Sequence, residues 1–190
     1  MPKTDRIEAT KAAYIKLGSK GRWETQCLRD GTLRLGYDGA PHEVAMAGDV
    51  DALRRHFVQV GHNPRIATAY ANQVHKFYSA GPETLWITFS GGYLHWAIAD
   101  GLVEYLGGSA EEMAQRGSRF RKTRDGWQNK SVNGTPLRIP ELNGALTRTA
   151  AFRMTICPVE QFDYLIRKIN DAVLPQIAAA QEAKAGLLGS

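Results

Sequence analysis

Tryptophans in polar segments are the residues of this chain whose surroundings point most directly to chemistry. Trp23 follows the small, basic stretch SKGR, and Trp127 follows the turn signal Asp125-Gly126. Both lie in predicted loops, where a tryptophan needs a reason other than the core. An aromatic face can stack on an unpaired base while nearby basic side chains hold phosphates. The pattern favours nucleic-acid binding, although aromatic and basic residues coexist in most proteins.

The densest positive segment is RGSRFRKTR, residues 116–124, where basic residues surround Phe120. Alternating side chains predict a strand. Two roles stay open, with about equal weight: phosphate contacts, or an exposed edge strand that its charges protect from aggregation. The candidate phosphate-binding residues are Arg22, Arg119, Arg121, Lys122 and Arg124.

Sequence motifs for other chemistry are absent from the chain. It has no GxxxxGK loop, no HExxH and no CxxC pair, and its five histidines are scattered. We therefore predict no catalytic residue, no metal ligand and no cofactor, and we expect that His95 is not a catalytic base. One alternative is a small nuclease or hydrolase, whose site would be assembled from His75, His95 and dispersed carboxylates. A second is a module whose exposed aromatics bind another protein.

Bulk composition indicates one globular domain. The 190 residues are 43% hydrophobic, and the net charge of +5 favours an acidic partner, nucleic acid first. Cys27 and Cys157 stand beside apolar residues and predict small core side chains without a disulfide. The N-terminus has no apolar signal region, and no apolar run approaches the ~20 residues that cross a bilayer. We expect a cytoplasmic protein that does not bind membranes.

The segment that organises the chain is TLWITFSGGYLHWAIA, residues 84–99, which predicts a central β-hairpin around Gly91-Gly92. In this register Leu85, Ile87 and Phe89 face Ile98, Trp96 and Leu94, and these six residues form a core face. The opposite face, with Trp86 and His95, is a candidate functional surface. The competing interpretation, that a helix covers Trp86, has about twice the weight.

The remaining elements complete an α+β fold. Strands are predicted at 12–18, 32–37 and 151–159, the last ending near a sheet edge at Pro158. Helices are predicted at 25–29, 50–61, 63–80 and 160–177, and residues 102–117 form a long surface excursion. The expected organisation is a polar lead-in at 1–11, one domain at 12–177 and a tail at 178–190.

The predicted elements follow one another as strand, tryptophan-bearing loop, short helix, strand, helices and hairpin, and the late segment FRMTICPVEQFDYLIRKI adds a strand and a helix. This order resembles the PUA-like superfamily and its EVE and YTH-like modules. The resemblance covers most of Ala12 to Asn170. It implies a bent, mixed, barrel-like sheet flanked by helices, with an aromatic pocket beside the first strand that takes a flipped base. This chain departs from the family in a longer helical insert before the hairpin and in its basic segment.

By position in that family, Trp23 corresponds to a pocket aromatic, and the region of Asn72, Gln73, Tyr78 and Trp86 to a wall. With Trp127, these residues are the predicted base-binding set. The resemblance implies a non-enzymatic reader of modified or flipped bases in DNA or RNA, working with a partner nuclease or processing protein. We further expect Trp23 to be harder to bury than Trp96.

Overall fold

The computed structural model describes residues 5–172. Its strands are β1 (Lys11–Ile15), β2 (Thr32–Leu35), β3 (Thr84–Ser90), β4 (Tyr93–Tyr105), β5 (Arg119–Thr123) and β6 (Ile156–Pro158). Its α-helices are α1 (Glu24–Asp30), α2 (His42–Met46), α3 (Val50–Gln59), α4 (Pro64–Ser79), α5 (Ala110–Arg116), α6 (Gly144–Thr147) and α7 (Phe162–Ile169). Short 3-10 turns occupy Ser19–Gly21, Ile139–Glu141 and Arg148–Ala151.

The strands form one mixed six-stranded sheet in the order β2-β5-β4-β3-β1-β6, with helices packed against it. β1 and β3 are parallel, and the other neighbouring pairs are antiparallel. The sheet is open, since β2 and β6 lie at its edges. The predicted α+β fold is confirmed at this level. No helix within residues 5–172 has the length and apolar character to cross a bilayer.

The predicted central hairpin is confirmed in its register. Leu85 pairs with Ile98, Ile87 with Trp96 and Phe89 with Leu94. Gly91 and Gly92 have φ values of 59° and 84°, a left-handed conformation that tight hairpin loops need and that glycine adopts without strain. The core face of the hairpin packs against Leu165 and Ile169 of α7. The predicted continuation of this helix through 173–177, and the tail at 178–190, lie outside the described residues.

The other face of the hairpin is covered as well. Trp86 is 1% exposed, and its ring meets Phe77 of α4 edge to face at 6.2 Å. A helix therefore covers Trp86, as the competing interpretation held. A third apolar cluster holds α2, α3 and α4 together through Ala45, Leu53 and Val74. The helical insert thus forms a layer of its own beside the sheet.

Several expectations about the elements after the hairpin are wrong. The predicted surface excursion at 102–117 does not begin after the hairpin, because β4 continues to Tyr105 after an irregularity between Asp100 and Glu104. The expected surface excursion contains α5, whose start is fixed by a capping box between Ser109 and Glu112. Residues 148–151 form a 3-10 turn, so the last strand is confined to Ile156–Pro158. That short strand does lie at the sheet edge.

Candidate functional site: an aromatic cavity beside the first strand

An open cavity of about 530 Å³ lies where the chain leaves β1, and we call it the Trp23 cavity. Its lining brings together four separate stretches of sequence. They are Lys16 to Trp23, Gly36 and Tyr37 after β2, Tyr70 on α4, and Arg153 and Thr155 before β6. The backbone joins two of these stretches, because the Lys16 N–H donates to the Thr155 carbonyl at 2.8 Å.

Trp23 forms part of the wall while being almost wholly buried. It is 8% exposed, and its indole N–H donates to the Ala114 carbonyl of α5 at 3.0 Å. Gly18 makes room for it, since a Cβ there would lie 2.8 Å from Trp23 Cδ2, and its φ of 84° also suits glycine. The expectation that this loop tryptophan is hard to bury is wrong, because α5, absent from the sequence prediction, covers it.

Two tyrosines form the opposite part of the wall. The Tyr37 and Tyr70 rings meet edge to face at 5.1 Å, and the Tyr37 hydroxyl lies 3.2 Å from Thr155 Oγ1. Burial raises the pKa of Tyr37 above its ordinary value, so the phenol stays neutral and keeps its proton for hydrogen bonding. The φ of Tyr37 is 55°, an uncommon conformation for a bulky residue. It is supported by Arg119, whose guanidinium donates to the Tyr37 carbonyl at 3.1 Å.

The cavity is electrostatically positive. Lys16, Lys20 and Arg153 line it, and among residues 5–172 no carboxylate does. Lys16 is held by donating its ammonium to the Phe152 carbonyl. Behind Tyr37 stands Arg119, which is fully buried and forms no ion pair with a carboxylate among residues 5–172. A buried cation without a paired carboxylate interacts strongly with nearby charges, because the dielectric constant inside a protein is low. The site therefore favours an anionic or electron-rich ligand.

Of the six predicted base-binding residues, Trp23 alone lines this cavity. Asn72 is exposed on α4, away from the lining, and Gln73 is buried, where its amide bonds both the N–H and the carbonyl of Ile156 at 2.6 and 3.0 Å. Tyr78 hydrogen-bonds His42 and Arg119. Trp86 is covered by α4, and Trp127 donates its indole N–H to the Thr32 carbonyl at 2.9 Å. The structure therefore places these five outside the pocket wall.

The predicted phosphate-binding set divides into two groups. Arg119 is 0% exposed and Arg121 is 6% exposed, because the face of β5 to which both point is covered by α4 and by the chain after β2. β5 itself lies between β2 and β4, so it is not an edge strand. Arg121 donates to the carbonyls of Phe77, Ala80 and Gly101 at 3.2, 2.6 and 3.0 Å. Both expected roles for these two arginines are wrong: they are neither free phosphate ligands nor members of an edge strand. Arg22, Lys122 and Arg124 are exposed.

Sequence reasoning missed most of the lining. Six of the lining residues belong to no sequence motif that would have pointed to them: Lys16, Lys20, Tyr37, Tyr70, Arg153 and Thr155. A partial signal existed for Lys20, which belongs to the basic stretch SKGR before Trp23. Tyr70 could not be found in this way, because its place depends on how α4 docks beside the sheet.

A polar cluster around His95 bears on the enzymatic alternative. The Ser90 hydroxyl donates to the Glu24 carboxylate at 2.9 Å, and His95 Nε2 lies 3.2 Å from the Ser90 carbonyl. The sequence did not predict that Glu24 and Ser90 meet near His95. The serine hydroxyl nevertheless bonds to glutamate, not to the imidazole that would have to accept its proton in nucleophilic catalysis. No cluster of potential metal ligands occurs within residues 5–172.

The protonation of His95 gives the first testable prediction. Burial lowers the pKa of His95, while the Ser90 carbonyl and Glu24 partly oppose the shift. The unfolded chain therefore takes up this proton first as the pH falls through about 6.5. The stabilisation that neutral His95 contributes is complete above that pH and is lost as the pH falls through the lower pKa of the folded protein.

We expect the wild-type protein to lose more unfolding free energy than His95→Gln between about pH 7.5 and about pH 5. Urea denaturation at a series of pH values measures the difference. Parallel pH profiles for the two proteins would contradict the prediction.

Comparison of the chain with protein-family models, curated proteins and solved structures finds no match.

Proposed function

We propose that this protein is a nucleic-acid reader that takes one modified or flipped-out base into the Trp23 cavity. The observation that carries the proposal is the lining: aromatic rings of Trp23, Tyr37 and Tyr70 beside Lys16, Lys20 and Arg153, with no carboxylate from the described part of the chain. Rings stack on the π-face of a base, and cations at the same opening hold the adjoining phosphates.

The volume and the lining of the cavity support a small, partly polar ligand. At about 530 Å³ it falls within the ~300–1,000 Å³ typical of small-molecule sites. The hydroxyls of Ser19, Tyr37 and Thr155 are available to read polar groups at the edge of a base. An added methyl group would gain apolar contact with the aromatic wall, which supports the methylated bases as candidates.

The finer fold assignment belongs to the same proposal. A PUA-like, barrel-like bend is supported by β4, which pairs with β3 in its first half and with β5 in its second, where an irregularity between Asp100 and Glu104 interrupts the pairing. In this proposal the protein works in the cytoplasm and needs no cofactor. A separate nuclease or processing protein acts on the nucleic acid that it binds.

Phosphate contacts are assigned by proximity to the cavity. Lys16, Lys20 and Arg153 line the opening, and Arg22 is exposed beside Trp23. The exposed Lys122 and Arg124 remain predicted contacts for a longer stretch of backbone. The buried Arg119 and Arg121 are no longer included.

The test is a binding screen of methylated and unmodified oligonucleotides, both single-stranded and duplex, at several salt concentrations. We expect one modified base to be preferred, with an affinity that falls steeply with salt because phosphate contacts release counterions. Lys20→Gln should weaken binding to all sequences alike and reduce the salt slope by about 1, the value for one phosphate contact.

Arg167→Gln is the matched control, since Arg167 is exposed on α7 and does not line the cavity. It should leave affinity and salt slope unchanged. An equal loss in both variants would mean that only net charge matters. Binding that does not depend on salt, or no binding at all, would contradict the reader function and favour the protein-interaction module.

A further inference from the structure

An exposed aromatic residue adjoins the Trp23 cavity. Phe152 is 47% exposed and belongs to none of the apolar clusters formed by residues 5–172. Tyr105 is comparably exposed, but its ring stacks on His42 and lies under the Arg119 guanidinium. Phe152 pairs with no ring or cation among the described residues. Single exposed apolar residues are ordinary on protein surfaces, so the significance of Phe152 depends on where it lies.

Hydrogen bonds hold the backbone of Phe152 at the edge of the Trp23 cavity. Its carbonyl accepts from the ammonium of Lys16, and its neighbour in the chain is Arg153; both of these residues line the cavity. Successive Cα atoms are only about 3.8 Å apart, so Phe152 starts less than one side-chain length from the lining. The Phe152 N–H donates to the Thr149 carbonyl at 3.1 Å. The backbone is thus fixed on both sides while the ring is left unpacked.

The segment that carries Phe152 is basic and open to solvent. Residues 142–159 include Arg148 and Arg153 and contain no acidic residue. Both arginines are exposed, and so are Ala150 and Ala151, whose methyl groups offer the ring little to pack against. Proteins bind single-stranded nucleic acid with this combination, in which an aromatic ring stacks on a base and nearby cations follow the phosphates.

We propose that Phe152 stacks on the base next to the one in the Trp23 cavity, and that the ligand of this site is therefore a single strand. The inference rests on the proposed reader function. In a duplex the neighbouring base is paired and stacked, whereas in a single strand its face is free and no base pair has to be broken. Lys16 and Arg153 adjoin both the cavity and Phe152, so they contact the phosphate that joins the two nucleotides.

The test compares short strands of DNA and of RNA, each alone and annealed to its complement. Their central base is one of the unmodified bases, 5-methylcytosine or N6-methyladenine. We expect the central base that binds best to bind more tightly in the single strand than in the duplex. Phe152→Ala should weaken single-strand binding about tenfold, a loss typical of one stacked aromatic, and leave duplex affinity unchanged. Because Phe152 is exposed, the variant should melt at the wild-type temperature.

An abasic nucleotide identifies the second base. Placed on one side of the central base, it keeps the phosphates and removes the base on which Phe152 would stack. On one of the two sides it should cost as much affinity as Phe152→Ala, and the variant should then lose nothing further, because both changes remove the same contact. Phe152→Trp should retain the affinity. Leu102→Ala is the matched control, since Leu102 is 74% exposed and does not line the cavity, and it should change nothing.

Three results would overturn this inference while the reader function stands. They are tighter binding of the duplex than of the single strand, a single-strand affinity that Lys20→Gln lowers and Phe152→Ala does not, and a loss in Phe152→Ala that persists with both abasic strands. If the wild-type protein binds none of the strands, the reader function itself is contradicted, and the single-strand inference with it.

Discussion

Replacing Arg119 with methionine is expected to lower the free energy of unfolding by about 3–5 kcal/mol, because several buried acceptors would lose their donor. The guanidinium donates to the carbonyls of Tyr37 and Ala40 at 3.1 and 2.9 Å and to the Tyr78 hydroxyl at 3.0 Å. These bonds join β5 to the chain after β2 and to α4. The guanidinium also lies over the Tyr105 ring at 5.1 Å, a contact that methionine replaces only in part.

Two further variants separate the contribution of the guanidinium hydrogen bonds to stability from that of the positive charge. Arg119→Lys keeps the charge but cannot reach several acceptors at once, so most of the loss should remain. Lys122→Met removes a charge from an exposed position of the same strand and should change stability by less than about 0.5 kcal/mol. Urea denaturation measures the free energy of unfolding of the three variants, provided that the dependence on urea concentration is similar in each. An Arg119→Met protein as stable as the wild type would contradict the stabilising role of the Arg119 hydrogen bonds.

The basic segment illustrates why a local pattern did not predict side-chain roles. Arg119, Arg121 and Lys122 look alike in sequence, and their alternation correctly predicted a strand. Their exposure depends on which face of β5 is covered, and the covering residues, on α4 and after β2, lie far from β5 in the chain. Arg119 and Arg121 point to the covered face and donate to backbone carbonyls, while Lys122 points to the other face and stays exposed.

Features specified by nearby residues were predicted more accurately. The hairpin register follows from Gly91-Gly92 and the alternating apolar residues on either side. The start of α4 follows from Asn63, which caps the helix by accepting from the Ile66 N–H at 2.9 Å, and from Pro64 in the first turn. By contrast, α5 was missed because its capping box stood in a glycine-interrupted stretch with weak apolar periodicity.

The Trp23 cavity lies between these two cases. The sequence pointed to Trp23 because a tryptophan stood in a small, basic loop, and the structure places that residue at a cavity. The predicted wall residues Asn72, Gln73 and Tyr78 are on α4, but the residue of α4 that lines the cavity is Tyr70. Asn72 points away from Tyr70, since helical residues two apart differ in direction by about 200°. Gln73 and Tyr78 lie near the face of Tyr70 but further along α4, so the position at which α4 docks decides which of them reaches the site.

The burial of Trp23 predicts a large effect on stability. Trp23→Ala should lower the free energy of unfolding by about 3–5 kcal/mol, since it opens a void and removes the donor to the Ala114 carbonyl. Trp23→Phe keeps a ring in the wall and loses mainly the hydrogen bond and some volume, so about 1–2 kcal/mol is expected. Thermal and urea denaturation measure both losses.

The Phe variant then separates a supporting role from base stacking. If Trp23 offers its ring to the base, the folded fraction of Trp23→Ala should bind oligonucleotide weaker by ~1–3 kcal/mol, with much of the affinity kept by Trp23→Phe. Titration below the unfolding transition, with the folded fraction measured for each variant, gives these values. If the affinity of folded Trp23→Ala equals that of the wild type, Trp23 only supports the wall, and stacking in the cavity would fall to Tyr37 and Tyr70.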